Sequence, residues 1–258
     1  MRLFVINLPQ QVDRRNLMMA QLKVARTVAE LISAVDGRAL SVEEVQANYD
    51  DAGARAALGR SMSRGEIGCA LSHQSIYRRM IDQGLPWAVI LEDDALVGGE
   101  FQAALGAISA QLDGARSEIY MLTHVDKYTD WGRRRILRRH WLVKPVRAYR
   151  AHCYVITQAA ARALLQFNHP IRVPADYWMT FQRAGIVTIR AVVPYCVGSA
   201  PCEQNSVIES ERRFEETRAA KVGTLRLWDW IEKHLYWKLL YQLGIKQVLR
   251  IKKQKLLW

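Results

Sequence analysis

The chain has 258 residues, half of them hydrophobic, and it carries a formal net charge of +12 at pH 7. Such a composition excludes an intrinsically disordered polymer, and the length is sufficient to bury a full hydrophobic core. The positive charge predicts an anionic partner, which can be nucleic acid, an acidic or phosphorylated substrate, or an anionic membrane.

Hydropathy predicts a protein that does not span a membrane. No stretch approaches the roughly 18 uninterrupted apolar residues that a transmembrane helix needs. The N-terminal sequence MRLFVINLPQQ has too short an apolar run for a signal peptide. The four cysteines show no CxxC pair and no zinc-type spacing, so we expect reduced thiols in a cytosolic protein.

Predicted strands alternate with predicted helices along most of the chain. Apolar runs rich in β-branched residues predict strands at 3–6, 30–35, 89–91, 119–122, 154–156 and 186–193. Amphipathic spacing predicts helices at 13–25, 63–84 and 158–167. Asp13 is the expected N-cap of the first helix, and Ser63 with Glu66 forms a capping box for the second. We therefore predict an α/β fold with a mixed, largely parallel sheet.

The C-terminal region, residues 211–258, differs from the preceding domain, residues 1–210. From Arg218 onward basic residues predominate, and apolar residues recur at three- or four-residue spacing among aromatics such as Trp228 and Trp237. This pattern predicts one or two basic amphipathic helices that bind an anionic membrane surface. The alternative is an ordinary C-terminal helix that packs on the core.

Three acidic residues, Glu92-Asp93-Asp94, follow directly on the apolar run Val89-Ile90-Leu91. Side chains alternate along an extended strand, so we expect Glu92 and Asp94 on one face and Asp93 on the other. Clustered carboxylates repel one another unless water, an Arg or a cation neutralises them. Ligands bind beyond the carboxyl ends of strands in open α/β sheets, and oxygen ligands suit a hard divalent ion. The triplet predicts a metal site, with a solvated acidic turn as the alternative.

The stretch GEIGCALSH, residues 65–73, is a second candidate site. Gly65 and Gly68 at a helix start permit close approach of the backbone to an anion. His73 lies two turns along the helix, where it can face the same site. The alternative is a histidine that is satisfied by hydrogen bonds within the fold.

Several of these motifs together resemble glycosyltransferase family 25, which includes lipooligosaccharide galactosyltransferases and collagen galactosyltransferases. They are FVINL with Arg14-Arg15 behind it, GEIGCALSH, VILEDDALV, AHCYVIT at residues 151–157, and the turn VPADYW. The resemblance covers about residues 1–210. It implies a GT-A-like nucleotide-sugar-binding fold in which a DxD-type acidic motif binds a divalent metal, Mn²⁺ or Mg²⁺, on the donor diphosphate.

The resemblance also implies roles for individual residues. Asp94 is the expected metal ligand, and Glu92 holds either the metal or the donor ribose. The remaining donor-binding candidates are Asn7, Arg14, Ser72, His73 and Asp93. Inverting transfer needs a group that takes the acceptor's hydroxyl proton, and Asp176 is the candidate base. Tyr177 and Trp178 beside it are candidates to stack on a sugar, whereas the alternative for Asp176 is a helix N-cap.

A run of arginines at residues 133–139 remains open to two interpretations. It is either a solvated basic loop or a contact surface for a phosphorylated acceptor or a membrane, in which Arg134, Arg135 and Arg138 take part.

We therefore expect an enzyme that transfers a hexose, galactose from UDP-galactose by family resemblance, to a lipooligosaccharide or lipopolysaccharide acceptor with inversion. It would act at the cytoplasmic face of a bacterial inner membrane. One rival is a metal-dependent phosphodiesterase or nuclease, although the sequence shows no second dense cluster of metal ligands. The other rival is a non-catalytic binder of membranes or nucleic acid, which leaves the acidic strand end unexplained. We expect no nucleic-acid partner.

Overall fold

The computed structural model describes residues 2–199 and 251–254. The helices of this part are α1 Val12–Val24, α2 Val42–Asn48, α3 Asp51–Leu58, α4 Arg64–Asp82, α5 Phe101–Ser109, α6 Gln158–Phe167 and α7 Trp178–Arg183. The strands are β1 Arg2–Asn7, β2 Glu30–Ser33, β3 Trp87–Glu92, β4 Ala95–Val97, β5 Glu118–Met121, β6 Lys127–Leu137, β7 His140–Arg147, β8 Cys153–Thr157, β9 Thr188–Val193, β10 Val197–Ser199 and β11 Ile251–Lys253.

Nine strands form one mixed sheet in the order β11-β6-β7-β9-β5-β8-β3-β1-β2, and β4 pairs with β10 in a separate ribbon. β1 runs parallel to β2 and β3, and β5 runs parallel to β9. The pairs β3–β8, β5–β8, β7–β9, β6–β7 and β6–β11 are antiparallel. Most strands of the sheet therefore run in one direction, and only β7, β8 and β11 oppose them. This confirms the predicted α/β fold with a mixed sheet.

The middle of the sheet is buried on both faces, which explains why its strands are continuous apolar runs. Phe4 and Ile90 belong to the core layer that packs against α4, α6 and α7. Val5 and Leu91 belong to the opposite layer, which packs against α1 and α5. Neighbouring residues of one strand thus serve different layers, and the strand ends are held rigidly between them.

The predicted capping box at the start of α4 is confirmed. The Ser63 hydroxyl accepts from the Glu66 amide, and the Glu66 carboxylate accepts from the Ser63 amide. Arg60 forms an ion pair with the buried Glu66 at 2.7 Å, which compensates for the loss of water around that carboxylate. The helix ends at Asp82 and is followed by Gly84 with a φ of +62°. The start of the helix that carries His73 is therefore well anchored.

Three local features differ from the sequence prediction. The N-cap of α1 is Gln11, so Asp13 lies in the first turn, where the helix dipole favours its charge. The polar stretch before Ser63 contains α2 and α3, each with a side-chain cap, from Ser41 and Asp50 respectively. Residues 133–137 of the arginine run lie on the exposed part of strand β6, whereas Arg138 and Arg139 lie in the turn to β7, so only this part of the run is a loop.

Only a small piece of the C-terminal region belongs to the described residues. Residues Ile251–Lys253 form an edge strand that pairs with β6, so the helix prediction is wrong at these positions. The edge of β6 offers free backbone groups, and Lys252 adds an ion pair with Asp130 at 2.7 Å. The rest of the basic tail, with Trp228 and Trp237, lies outside the described residues. No helix in the described ranges is long and apolar enough to cross a bilayer.

Candidate active site

The acidic triplet lies where three neighbouring strands meet at one edge of the sheet. Glu92 is the last residue of β3 and pairs with Ile6 of β1, so Asn7 lies directly beside the triplet. On the other side β8 runs antiparallel to β3, and therefore its first residues approach the end of β3. The Glu92 amide donates to the carbonyl of His152, which immediately precedes β8, at 2.9 Å. Side chains from distant parts of the sequence consequently converge on one site.

Glu92 and Asp94 lie on one side of the turn and share the imidazole of His152. The Nδ1 atom of His152 is 3.1 Å from Glu92 and 2.9 Å from Asp94. Burial alone would lower the pKa of His152, but the hydrogen bonds to Asp94 and Glu92 raise it to about 10. Burial likewise opposes ionisation of Glu92, yet its bonds to His152 and His73 hold the pKa of the carboxyl well below its usual range. Protonated His152 therefore offsets one of the two carboxylate charges and bridges both groups.

The same three side chains could hold a divalent cation. Glu92, Asp94 and His152 each offer one ligand atom, and these atoms all lie within 4.8 Å of one another. Two carboxylate oxygens suit Mg²⁺ and Mn²⁺, whereas an imidazole nitrogen favours transition metals. The donor set thus fits Mn²⁺ better than Mg²⁺. His152 would have to lose its proton to become a ligand.

Below Glu92, a chain of buried polar side chains leads into the core. His73 Nε2 lies 3.2 Å from the Glu92 carboxylate, and its Nδ1 lies 2.7 Å from the Tyr154 hydroxyl. The Tyr154 hydroxyl in turn lies 2.7 Å from that of Tyr77. An ionised carboxylate can only accept a hydrogen bond, so Nε2 of His73 donates to Glu92. In the neutral ring with its proton on Nε2, Nδ1 then accepts from the Tyr154 hydroxyl. His73 is only 1% exposed and therefore positions Glu92 from beneath.

Cys69 adds a second possible set of metal ligands on the same side of the sheet. Its thiol, His73 and Glu92 also offer ligand atoms that lie within 4.8 Å of one another. His73 is already bonded to Glu92 and Tyr154, and it is almost fully buried. The set that includes Asp94 and His152 is the more accessible of the two, so we regard it as the candidate cation site.

Asp93 has different partners from Glu92 and Asp94, although Asp93 and Asp94 lie in the turn after β3 and not in the extended strand that the prediction assumed. The Asn7 side-chain amide donates to the Asp93 carboxylate at 2.7 Å, and Arg14 lies 3.6 Å from it. Burial raises the pKa of Asp93, although the bond from Asn7 acts against this shift. The predicted residues Asn7, Arg14 and Asp93 therefore form one group. The half-exposed Arg14 lies on the solvent side of this group.

Two residues of the GEIGCALSH stretch have structural roles. The buried Ser72 hydroxyl donates to the Gly68 carbonyl at 2.7 Å and accepts from the Val35 amide at 2.8 Å. A methyl group on Gly68 would lie 2.5 Å from the amide nitrogen of Gly37. Gly68 thus allows the close packing of the segment after β2 and does not face an anion site. The Ser72 hydroxyl is occupied by these two hydrogen bonds and is not available to a nucleotide-sugar donor in this arrangement.

Asp176 lies in the turn before α7 and is half-buried. The N-cap of α7 is Tyr177, so the alternative role of Asp176 as the N-cap is wrong. Trp178 is fully buried, stacks edge-on against Tyr154 at 5.0 Å and donates to the Arg150 carbonyl, so it cannot stack on a sugar in this structure. Asp176 lies two residues before Trp178, which packs against the chain of side chains under Glu92. Its role as a base stays a prediction.

The arginines of the β6–β7 hairpin do not join the acidic cluster through any contact in the described residues. Arg134, Arg135 and Arg138 are exposed, and Arg135 donates to main-chain carbonyls of its own turn. Their predicted role toward an acceptor or a membrane stays a prediction.

His152 is the functional residue that the residue-by-residue interpretation missed. It occurs in AHCYVIT, which carries part of the family resemblance, but no role was predicted for it. The available signal was a histidine directly before an apolar strand. Its approach to Glu92 depends on the antiparallel pairing of β8 with β3, which the sequence pattern did not indicate.

Comparisons with known proteins agree with these observations. The family model described as "Glycosyltransferase family 25 (LPS biosynthesis protein)" matches residues 1–179. Procollagen galactosyltransferase 1 of Danio rerio is 29% identical over 188 residues, which cover 68% of this chain and 30% of the relative. The "Probable inactive glycosyltransferase 25 family member 3" of Bos taurus is 27% identical over 186 residues, with the same coverage of 68% and 30%. The chain therefore matches less than a third of the length of these relatives.

Among solved structures, a glycosyltransferase involved in the glycosylation of the major capsid of PBCV-1 is similar to this chain. It is 11% identical with a TM-score of 0.37, and the match covers 84% of this chain and 98% of the other. The two chains superpose so loosely that no residue of one can be equated with a residue of the other.

Proposed function

Since the chain belongs to glycosyltransferase family 25, we propose that it transfers a hexose from a nucleotide-sugar donor to a glycan acceptor. The observation that carries this proposal is the cluster of Glu92, Asp94 and His152 at the carboxyl end of β3. Ligands bind at such strand ends in open α/β sheets, and two carboxylates beside a histidine suit a cation that neutralises a sugar diphosphate. We place the donor there in a GT-A-like manner.

The proposed metal is Mn²⁺, or Mg²⁺, held by Asp94, Glu92 and His152. When bound, a divalent ion stabilises the negative charge that develops on the leaving diphosphate. His73 holds the Glu92 carboxylate in place from the core side, at 3.2 Å. Because His73 is itself hydrogen-bonded to Tyr154, the position of Glu92 depends on a rigid, buried chain of contacts.

The nucleotide is expected on the side of Asn7, Arg14 and Asp93. In this group Arg14 is the one cationic side chain, and half of it is exposed to solvent. It can therefore turn from Asp93 toward a phosphate, which leaves Asn7 as the remaining hydrogen-bond donor to the mostly buried Asp93 carboxylate. The side-chain amide of Asn7 keeps Asp93 oriented meanwhile, at 2.7 Å.

We propose UDP-galactose as the donor and a lipooligosaccharide or lipopolysaccharide as the acceptor, with inversion at the sugar carbon. The similarity to a protein named procollagen galactosyltransferase supports galactose, and the family description supports lipopolysaccharide. Asp176 is the proposed base for the acceptor's hydroxyl proton. The proposed location is the cytoplasmic face of a bacterial inner membrane, reached through the basic tail, and Arg134, Arg135 and Arg138 are proposed to contact either the acceptor or the membrane.

Calorimetric titration with UDP, in Mn²⁺ and in EDTA, tests the proposal. Removal of a group that is hydrogen-bonded to a metal ligand weakens metal binding about 10- to 100-fold. Asp94 is a proposed ligand itself, so Asp94→Asn should weaken UDP binding in Mn²⁺ at least about 10-fold. The control Asp82→Asn removes an exposed carboxylate at the end of α4 and should bind like the parent. UDP affinity that is the same in Mn²⁺, in EDTA and in Asp94→Asn would contradict the metal assignment.

A transfer assay with UDP-galactose and UDP-glucose then separates an active from an inactive family member. The similarity to a protein named probable inactive makes this step necessary. Metal-dependent UDP binding without transfer to any lipooligosaccharide acceptor would favour an inactive, donor-binding protein over the proposed transferase.

A further inference from the structure

A cavity lies apart from the acidic cluster, between the turn of the β6–β7 hairpin and the start of α5. Its volume is about 480 Å³, and its lining includes Gly98, Glu100, Arg138, Arg139 and His140. Cavities of roughly 300–1,000 Å³ hold small ligands in proteins. The size is therefore sufficient for a sugar residue with a charged substituent.

The cavity is connected to the acidic cluster by the ribbon of β4 and β10. Strand β4 begins at Ala95, directly after Asp94, and leads to Gly98 at the cavity. A strand rises about 3.3 Å per residue, so the backbone at Gly98 lies roughly 13 Å or less from that of Asp94. This separation is within the span of a short extended glycan.

The cavity carries two cationic groups that have no side-chain partner among the described residues. Arg138 and Arg139 are exposed, and neither side chain forms an ion pair or a hydrogen bond with any residue in the described ranges. An arginine on the preceding strand β6 is engaged by comparison, since Arg133 pairs with Asp130 at 3.0 Å. Guanidinium groups bind phosphate and carboxylate in a bidentate manner, so the two free groups point to an anionic ligand.

His140 supplies an independent observation. It is only 8% exposed, and its Nδ1 atom has no hydrogen-bond partner in the part of the chain that the structure describes. A buried polar atom without a partner costs about 1–3 kcal/mol, so such atoms call for an explanation. The Nδ1 atom itself is shielded from solvent, whereas the ring as a whole lines the cavity. Burial lowers the pKa of His140, which leaves the ring neutral and able to exchange a hydrogen bond with a hydroxyl through its other nitrogen.

The start of α5 adds the positive end of a helix dipole to the cavity, and the Glu100 carboxylate adds a negative charge. Glu100 is the N-cap residue of α5, and its side chain makes no capping bond with the helix. The positive end of the helix dipole therefore faces the same region as the two arginines. The Glu100 carboxylate lines the cavity as well and weakens the attraction for an anion there.

We propose that this cavity binds an acidic sugar of the acceptor, one that bears a phosphate or a carboxylate, with Arg138 and Arg139 on the anionic group and His140 on a hydroxyl. The cavity is an acceptor subsite only if the proposed transferase function holds. The binding of the acidic sugar itself does not depend on that function.

Glucose 6-phosphate, glucuronate and glucose serve as probes, titrated by NMR into the full chain with UDP and Mn²⁺ present. We expect both acidic sugars to bind, and glucose to bind at least about 10-fold more weakly, because a charged hydrogen bond is worth about that factor. A preference between the two acidic sugars identifies the substituent as phosphate or carboxylate.

Four variants locate the binding. Arg138→Ala and Arg139→Ala should each weaken glucose 6-phosphate at least about 10-fold, and Glu100→Gln should strengthen it several-fold by removing the opposing charge. The control Lys144→Ala removes a positive charge from an exposed position on β7 outside the cavity lining and should bind like the parent. UDP affinity should be unchanged in all four.

Two results would overturn the proposal. One is binding of glucose 6-phosphate that is equal in Arg138→Ala, Arg139→Ala and Lys144→Ala. The other is competition between UDP and glucose 6-phosphate for one site, which would make the cavity part of the donor site. Arginine-dependent binding of the acidic sugar in a protein that fails to bind UDP would support the cavity and contradict the transferase function.

Discussion

Glu92 lies between two histidines from different parts of the chain, and this arrangement determines what the acidic cluster can do. His73 contacts it from the core side and His152 from the solvent side, at 3.2 and 3.1 Å respectively. Asp94 shares only His152. The imidazolium thus reduces the repulsion between the two carboxylates. A metal ion can supply this positive charge instead, with the deprotonated ring as one of its ligands.

Removal of His152 should abolish stabilisation by metal. At a Mn²⁺ concentration of about 100 times Kd, binding stabilises a protein by about 2.7 kcal/mol, and each kcal/mol raises Tm by about 2–4 °C in a domain of this size. We expect a rise in Tm with Mn²⁺ for the parent and little or none for His152→Ala, measured by calorimetry.

The control for this prediction is His169→Gln, which changes an exposed histidine outside the cluster and should retain the rise. An equal rise in His152→Ala would show that the ion binds elsewhere, for example at Cys69 and His73.

Individual residues show how far sequence analysis reaches. The position of the acidic triplet at the end of a buried strand was predictable from the apolar run before it, but the strand ends at Glu92, so the turn that carries Asp93 and Asp94 sets their directions. The hydrogen bond from the Val35 amide to the Ser72 hydroxyl and the burial of Trp178 against Tyr154 were not predictable. Both depend on segments that are far away in the chain.

At the scale of elements, helix α4 connects the core to the site. It packs so closely against the segment after β2 that a Cβ atom on Gly68 would lie 2.5–2.8 Å from main-chain atoms of Val35 and Gly37. Main-chain atoms cannot move aside as a flexible side chain can. The glycine therefore determines how closely α4, and with it His73, approaches the first strands.

Two glycine substitutions test this packing. Gly68→Ala should destabilise the protein by about 1–3 kcal/mol through overpacking, although alanine favours a helix by about 1 kcal/mol. Gly106→Ala in the exposed face of α5 meets no atom within 4 Å and should stabilise the protein by up to about 1 kcal/mol. Urea unfolding measures both. An unchanged or raised stability in Gly68→Ala would contradict the close contact of α4, and a loss in Gly106→Ala would contradict the open space around that position.

Elements were predictable where their pattern is local. The strands of the sheet centre and the long helices α4 and α6 follow from continuous apolar runs and from caps. The hairpin of β6 and β7 was missed because its charged β6 is exposed and its pairing shifts register, which disrupts the alternation that predicts a strand.

At the scale of the whole molecule, the net charge of +12 should direct the protein to anionic surfaces. We expect the full chain to bind vesicles containing phosphatidylglycerol and to be released by salt, because the Debye length falls from about 10 Å at 0.1 M to about 3 Å at 1 M. Trp228→Ala with Trp237→Ala should weaken vesicle binding if the tail inserts its apolar face.

Cosedimentation with vesicles measures this binding, and neutral phosphatidylcholine vesicles and duplex DNA are the controls. Retention on DNA as strong as on anionic vesicles would favour the nucleic-acid binder instead. Binding to neutral vesicles that is insensitive to salt would contradict an electrostatic contribution.

The sequence by itself determined the α/β class, the acidic strand end and the capped helix with His73, because each follows from a periodicity or a spacing within a few residues. Only the tertiary structure decided that His152 completes the acidic cluster and that Arg138, Arg139 and His140 surround a separate cavity. The physical reason is that these arrangements depend on which strands pair and in which direction. Strand pairing is decided by the burial of the whole sheet between its two layers of helices, and this is a property that no short segment carries.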